Sequence, residues 1–392
     1  MKKTISSLLA LAFSLSIYAQ SKAPAENITA RGTTPGYTFE TIADLDATEV
    51  KSQGRTGTCW SFSTSSFIES EILRISGKSV DLSEMYNARM VYPEKAKNYV
   101  GRQGKAQFSE GSLNHDVMKV IKEHGLITEE AYQGKIVNKN RYDHSELASV
   151  LEGYVNAVTK NESGSLSSIW LKGFEAVLDT YLGEIPESFK FEGKEYTPAS
   201  FRDALKINPD DYLQFTSFKS YPYNSQVVLN IPDNWANGSY YNLELKEYQN
   251  LIEHALKEGY SVAIDADVSE KTFSSKQGMA IVPAMDLNEM DKEEKEILFK
   301  VPVTEKIITP EFRQQEFNNF NTTDDHLMHI TGLLKDQNGT LYFRVKNSWG
   351  TEGQGHNGNV YFSESYLQLK SISVMMHKDA VPSKLKKKLG IK

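Results

Sequence analysis

From Thr58 to Gly77 the apolar residues Trp60, Phe67, Ile68, Ile72 and Ile75 recur near three-to-four spacing, which predicts a helix with Gly77 as its stop. A second helix is expected from about Ser83 to Val91, ended by Pro93. Leu113, Val117, Val120 and Ile121 mark a third, ending near Gly125. Residues 133 to 230 are polar and mixed in pattern, with one helix expected around Ile169 to Leu182. Tyr248, Ile252, Ala255 and Leu256 define a further amphipathic helix closed by Gly259. The apolar run Ser261 to Ile264 then reads as a strand, and a charged helix is expected around Leu287 to Phe299. The C-terminal part changes character. Met328 to Leu334, Leu341 to Val345 and Val360 to Phe362 are strand-like runs separated by Asn338-Gly339 and Asn357-Gly358. Helices first and antiparallel strands last make an α+β plan with two unlike halves.

The first 19 residues stand outside this pattern. Lys2 and Lys3 precede an apolar stretch, Ile5 to Ile17, broken only by Ser, and Ala19 offers a small residue for cleavage. The segment reads as a secretory signal peptide, too short and too Ser-rich for a membrane span. Residues 20 to 45, rich in Ala, Thr, Gly and Pro, read as a lead-in or short pro-segment, and residues 46 to 392 as one domain. The expected location is periplasmic or extracellular, with no stable membrane association once the signal is cleaved. Removing residues 1 to 19 takes away two lysines and no acid, so the formal charge goes from −7 to −9. An acidic chain lacks the basic footprint that nucleic acid requires. The cluster Lys384, Lys386, Lys387, Lys388 and Lys392 reads as a solvated helix end.

Cysteine usage narrows the chemistry. An exported chain with one cysteine, Cys59, has no intrachain disulfide. A free Cys is often a buried small hydrophobe, so its surroundings decide. The run Gln53-Gly-Arg-Thr-Gly-Thr-Cys59-Trp60 leads a Gly-containing loop into the first helix. A thiol there meets the positive end of the helix dipole, which favours the nucleophilic thiolate. Gln53 can return across the loop and, with the backbone N–H of Cys59, form an oxyanion hole. Gly57-Thr58-Cys59-Trp60 preceded by Gln53 resembles the active-site signature of papain-family cysteine peptidases. Thr56 stands where many secreted members carry another cysteine.

A thiolate needs an imidazole, and the chain has eight histidines. Asp324-Asp-His326-Leu-Met-His329-Ile-Thr-Gly332 offers two, which point to opposite faces if the run is a strand. His326 follows an acid and precedes Gly332, which resembles the family's histidine segment, so it is the expected base. Val345-Lys-Asn347-Ser-Trp349-Gly350 follows, and the resemblance makes Asn347 the residue that orients the ring, with Trp349 shielding the bond and meeting substrate. Gly111 and Ser112 read equally as cleft-lining residues matching a loop in relatives or as an ordinary helix N-terminus.

The resemblance implies a two-lobed fold: a helical lobe carrying Cys59 and an antiparallel β lobe carrying His326 and Asn347. About 270 residues separate Cys59 from His326, against roughly 130–150 in compact papain-like enzymes. A large, mainly helical insertion is therefore expected at about 133 to 320. Leu82-Ser-Glu-Met-Tyr86, Glu94-Lys-Ala-Lys-Asn-Tyr99, the run Gly125 to Tyr132 and the run Gly259 to Val268 resemble the bleomycin hydrolase and aminopeptidase C branch. Members of that branch are aminopeptidases that assemble into hexamers, with a C-terminal arm in the cleft. Here only Gly390, Ile391 and Lys392 follow the run resembling the last helix of that branch, so no such arm is expected. The resulting expectation is a secreted cysteine peptidase working through a thioester, probing peptide or protein substrates, aminopeptidase-like and without cofactor. An open-cleft endopeptidase and an inactive binding or scaffold protein are the alternatives, and a homo-oligomer is left open. A metal site on Asp324, Asp325, His326 and His329 is disfavoured by its mixed strand faces.

Overall fold

The computed structural model describes residues 36–135, 140–162 and 164–391, so the expected signal peptide and most of the lead-in lie outside the described residues. β1 (Phe39–Asp44) is followed by α1 (Cys59–Ser76), α2 (Glu84–Gly101), α3 (Asn114–His124), α4 (Ser145–Thr159) and α5 (Trp170–Leu182). A small hairpin, β2 (Phe189–Phe191) and β3 (Lys194–Tyr196), precedes α6 (Pro198–Ala204), β4 (Tyr212–Thr216), β5 (Ser225–Val228) and β6 (Ser239–Asn242). Next come α7 (Leu245–Lys257), β7 (Val262–Ala266), β8 (Phe273–Ser274), β9 (Met279–Ala280), α8 (Lys292–Ile297) and α9 (Pro310–Asn318). β10 (His326–Asp336), β11 (Leu341–Lys346), β12 (Asn359–Ser363), α10 (Glu364–Lys370), β13 (Ser371–His377) and α11 (Ser383–Leu389) complete the described chain.

α1 is buried on all sides from Cys59 to Ile72, although much of its sequence is Ser and Thr. Small hydroxyl side chains let neighbouring backbone come close and then bond to it. Ser61 Oγ donates to the Glu84 carbonyl at 2.7 Å, Ser63 Oγ to the Met328 carbonyl at 2.6 Å and Ser70 Oγ to the Asp46 carbonyl at 2.9 Å. A polar helix can therefore run through a core because each hydroxyl is satisfied there. Gly77 ends it with φ 69°, a left-handed cap that favours glycine.

Among the described residues the main sheet has 11 strands, ordered β5-β6-β4-β13-β7-β10-β11-β12-β9-β8 with β1 added to β10. One face packs on α1 to α5, where Cys59, Ala263, Leu327 and Met375 share a core. The other packs on α7 and α10, through Val262, Ile264, Ala266, Met328 and Ile330. The alternation along β7 and β10 thus sorts neighbouring residues between two cores.

Three expectations change. α2 runs through Pro93 to Gly101 rather than ending before it, because Val91, Tyr92, Pro93 and Ala96 are buried against the helices around them. That burial offsets a lost helix bond and ring clash worth about 3 kcal/mol. The charged helix around Leu287 to Phe299 shrinks to Lys292–Ile297, started by Asp291, whose side chain accepts from the Glu294 N–H at 2.9 Å. Segment 133–320 also supplies β4, β5 and β6 to the sheet as well as helices, including α4, whose narrow Leu147, Leu151, Val155 stripe is all it buries. Among the described residues no helix is long and apolar enough to cross a membrane.

Candidate active site

The loop before α1 is shaped by two close approaches. A Cβ at Gly54, where φ is +64°, would lie 2.2 Å from the Tyr142 carbonyl oxygen, and one at Gly57 would lie 2.8 Å from Glu110 Cβ. Only glycine lets both strands of chain meet there. The Thr58 carbonyl accepts from the N–H groups of Ser61 and Phe62, so the helix starts at Cys59 and the N–H of Cys59 is one of its free first-turn donors. Trp60 Nε1 donates to the Glu110 carbonyl at 2.9 Å and pins the 110–112 loop beside it.

His326 opens β10, and its Nε2 meets Asn347 Oδ1 at 2.7 Å. That bond fixes the ring and leaves Nδ1 as the nitrogen available to a thiol. The N–H of Leu327, the next residue, bears on the Cys59 thiol, which puts the start of β10 against the start of α1. Trp349 lies over the imidazole, ring centres 4.8 Å apart, and stays 36 % exposed, so it covers the His326–Asn347 bond while facing solvent. Gln53 is clamped: its Oε1 accepts from Ser348 Oγ at 2.6 Å and its Nε2 donates to the Thr56 carbonyl at 2.7 Å. One amide hydrogen remains for a ligand. His329 is elsewhere, buried behind α1 with Nδ1 2.9 Å from Ser66 Oγ.

Burial dominates the titration of this pair. It pushes the Cys59 thiol up to about 12, helped by the charges of Asp233, Asp265 and Asp324 and opposed by the Leu327 N–H. It also lowers His326, against the Asn347 bond and the Asp325 charge, which favour the protonated ring. Burial thus acts against charge on both members of the pair. The helix dipole favours the thiolate, and desolvation acts against it.

Gly111 and Ser112 part company. The Gly111 carbonyl accepts from Lys95 Nζ, and a Cβ on Gly111 would strike the Asp233 carboxylate at 2.0 Å, so this residue borders the site. Ser112 is fully buried, donating to Asp116 Oδ2 at 2.6 Å and accepting from Trp235 Nε1 at 3.0 Å, which is the bonding of a helix start. Among the described residues no group of three or more His, Cys, Asp or Glu side chains is placed to hold a metal. Sequence reasoning missed Asp233 and Asp265. An aspartate in the apolar strand Val262-Ala-Ile-Asp265-Ala was the available signal for one, and no local signal marks the other.

A thiol at a buried helix start, an imidazole tied to an asparagine, and helices and sheet meeting between them are the arrangement of a papain-like cysteine peptidase. The model of the Papain family cysteine protease matches residues 40–178, and that of the Peptidase C1-like family matches residues 138–391. This chain belongs to the Peptidase C1-like family. It is similar to Aminopeptidase G of Lactobacillus delbrueckii subsp. lactis, 22 % identical over 382 residues, covering 86 % of this chain and 82 % of the relative. Aminopeptidase C of the same organism is 23 % identical over 390 residues, covering 88 % and 82 %. The crystal structure of PepW from Lactobacillus rhamnosis shares the fold, with TM-score 0.69, 18 % identity and coverage of 90 % of this chain and 84 % of that one.

Proposed function

We propose that this chain is an exported cysteine exopeptidase that removes residues from the free N-terminus of peptides through a thioester on Cys59. The observation that carries the chemistry is the His326 Nε2–Asn347 Oδ1 bond set against the start of α1. The names of the two aminopeptidase relatives support the exopeptidase part, and the Lys2-Lys3 and Ile5 to Ile17 pattern supports export.

In this reading Cys59 Sγ passes its proton to His326 Nδ1 as it attacks the peptide carbonyl. The oxyanion is met by the Cys59 N–H and the free hydrogen of Gln53 Nε2. His326 gives the proton to the leaving amine, and the thioester forms. His326 then takes a proton from water, which attacks the thioester and releases the acid and the thiol. Asn347 holds the imidazole for both transfers. Replacing Gln53 by Ala is expected to lower kcat by about 10²–10³-fold with KM little changed, the split that marks a donor acting on the transition state. An equal rise in KM would mark Gln53 as a substrate-binding group instead.

The deciding assay sets the purified protein, kept reduced, on one peptide with a free amine and on its N-acetylated twin, with Cys59→Ala as control. Release of residues from the free peptide alone supports the proposal. Internal cleavage of both peptides would replace it with an open-cleft endopeptidase, and no Cys59-dependent cleavage of either would leave a binding protein. N-terminal sequencing of protein recovered from outside the cytoplasm tests export, with a start after Ala19 expected.

A further inference from the structure

Val228 pairs with Ser239 across the hairpin of β5 and β6, yet residues 229–238 lie between them. A turn of about two to five residues closes an ordinary hairpin, so the extra length serves something other than strand pairing. The connection also has a fixed shape. Asn234 is buried, and its Nδ2 donates to the Leu229 carbonyl at 2.9 Å and to the Gly238 carbonyl at 3.0 Å. Its Oδ1 accepts from the Gly238 N–H at 2.7 Å. One side-chain amide thus satisfies three backbone groups of a loop that has no ladder of its own. Gly238 lies against the His115 ring of α3, in space that a Cβ would need.

The connection is fastened on both sides of the cleft. On the helical side, Asn98 Nδ2 of α2 donates to the Trp235 carbonyl at 3.0 Å, and Trp235 Nε1 donates to Ser112 Oγ at 3.0 Å. The Asp233 carboxylate fills the space beside Gly111 and accepts from Gln107 Nε2 at 3.3 Å. On the sheet side, the Asp233 N–H donates to Asp324 Oδ2 at 3.2 Å. Gly111 adjoins Glu110, whose carbonyl holds the Trp60 indole next to Cys59. Asp324 stands two residues before His326. The chain therefore crosses from the wall that carries Cys59 to the wall that carries His326. The charges of Asp233 and Asp324 both act on the Cys59 thiol, so the crossing is close to it. Trp349, over the imidazole, stays 36 % exposed, which leaves that approach open.

Two residues of β10 span about 7 Å, and an extended peptide advances about 3.5 Å per residue. The space between the crossing and the Cys59–His326 pair is therefore about one or two substrate residues long. We propose that the 229–238 connection is a barrier that stops a bound peptide within about one or two residues on the N-terminal side of the bond to be cut, with Asp233 and Trp235 as its specificity-determining residues. The inference rests on the exopeptidase reading and gives it a physical cause. A chain excluded on one side is cut only near its end, and the discrimination comes from filled space rather than from a contact to the substrate amine.

The test reads alkylation of Cys59, so it does not depend on hydrolysis. Two chloromethyl ketones are compared on the reduced protein by mass spectrometry, one carrying a single free-amine residue and the other three residues under an N-acetyl cap. Each rate is divided by that of the same reagent with a free thiol in solution, and iodoacetamide reports the reactivity of Cys59 itself. The short reagent is expected to react at least about tenfold faster than the long one, the factor that follows from forcing groups into filled space. Two variants open the barrier: residues 232–237 replaced by Gly-Gly, which keeps the strand pairing, and Asp233→Gly with Trp235→Ala, which keeps the length. Both are expected to lose the preference for the short reagent with the iodoacetamide rate unchanged, and to cut an N-acetyl peptide that the unmodified protein spares. If the shortened connection does not fold, the point variant decides. Equal rates for the two reagents in the unmodified protein, or a preference that survives in the folded variants, overturns the proposal. A preference relieved by the variants in a protein that hydrolyses no peptide would remove the peptidase reading and leave the barrier standing.

Discussion

Cys59→Ala is expected to reduce peptide hydrolysis by about four orders of magnitude or more, and adding His326→Ala to it should cost almost nothing further. In the proposed mechanism the two side chains act on one proton. Sγ is useless as a nucleophile without a base to take that proton, and Nδ1 is useless as a base without a thiol in front of it. Removing either removes the whole step, so their losses do not add. His329 supplies the contrast. It is fully buried, its Nδ1 meets Ser66 Oγ, its ring meets Phe67 edge-on, and burial with the charges of Lys346 and Arg344 holds it well below the usual histidine range. His329→Gln is expected to lower stability while the folded fraction keeps its turnover number, measured with active-site titration of Cys59. Loss of turnover in the His329 variant with retention in the His326 variant would reverse the assignment of the base.

The largest expected loss of stability lies at Arg313, on α9. This side chain is 1 % exposed and has no acid beside it. Its Nε donates to the Ser217 carbonyl at 2.7 Å, its Nη1 to the Gln368 carbonyl at 2.7 Å and its Nη2 to the Ser371 carbonyl at 2.5 Å. The guanidinium also lies over the Phe218 ring, 4.6 Å from its centre. Burial lowers its pKa to about 10, still leaving it charged at neutral pH. The carbonyls come from the end of β4, the end of α10 and the start of β13, so one planar group ties three segments together. Arg313→Ala leaves those carbonyls in a dry interior and is expected to cost about 3–5 kcal/mol, read as a lower urea midpoint at unchanged slope. Arg313→Lys should recover only part of this, because an ammonium cannot span three carbonyls in one plane. An unchanged midpoint in the Ala variant would mean that water replaces the guanidinium.

Particular elements show how far the sequence could be read. Gly77, Gly125 and Gly259 mark the ends of α1, α3 and α7 because helix stops are local events, written within a few residues. β10, β11 and β12 follow from alternating runs broken at Asn338-Gly339. Pro93 misled because helix breaking is a local tendency that burial of the surrounding turns can override. α4 escaped notice because a narrow stripe of three apolar residues carries little periodic signal. β4, β5 and β6 were hidden since they are short runs joined to the main sheet only through β4, whose partner β13 lies far along the chain.

The site divides along the same line. The loop into Cys59, the His326 segment and the Asn347-Ser-Trp349 run were legible because each is a short stretch whose residue types answer one chemical need. Their meeting was inferred from resemblance, and the tertiary structure supplies its geometry, with Nε2 of His326 2.7 Å from Asn347 Oδ1. Three things only the fold decided. Burial, set by surrounding segments, pushes the Cys59 thiol up, against the helix dipole. Ser112 turns inward to Asp116 while Gly111 borders Asp233. Asp265 faces Leu327 because sheet register, a contact across the ladder, puts it there. The sequence by itself determined the local elements that bear Cys59, His326 and Asn347, since those are properties of neighbours in the chain. Which carboxylates gather around Cys59 is a property of neighbours in space, and the energy of a charge depends on every group packed against it.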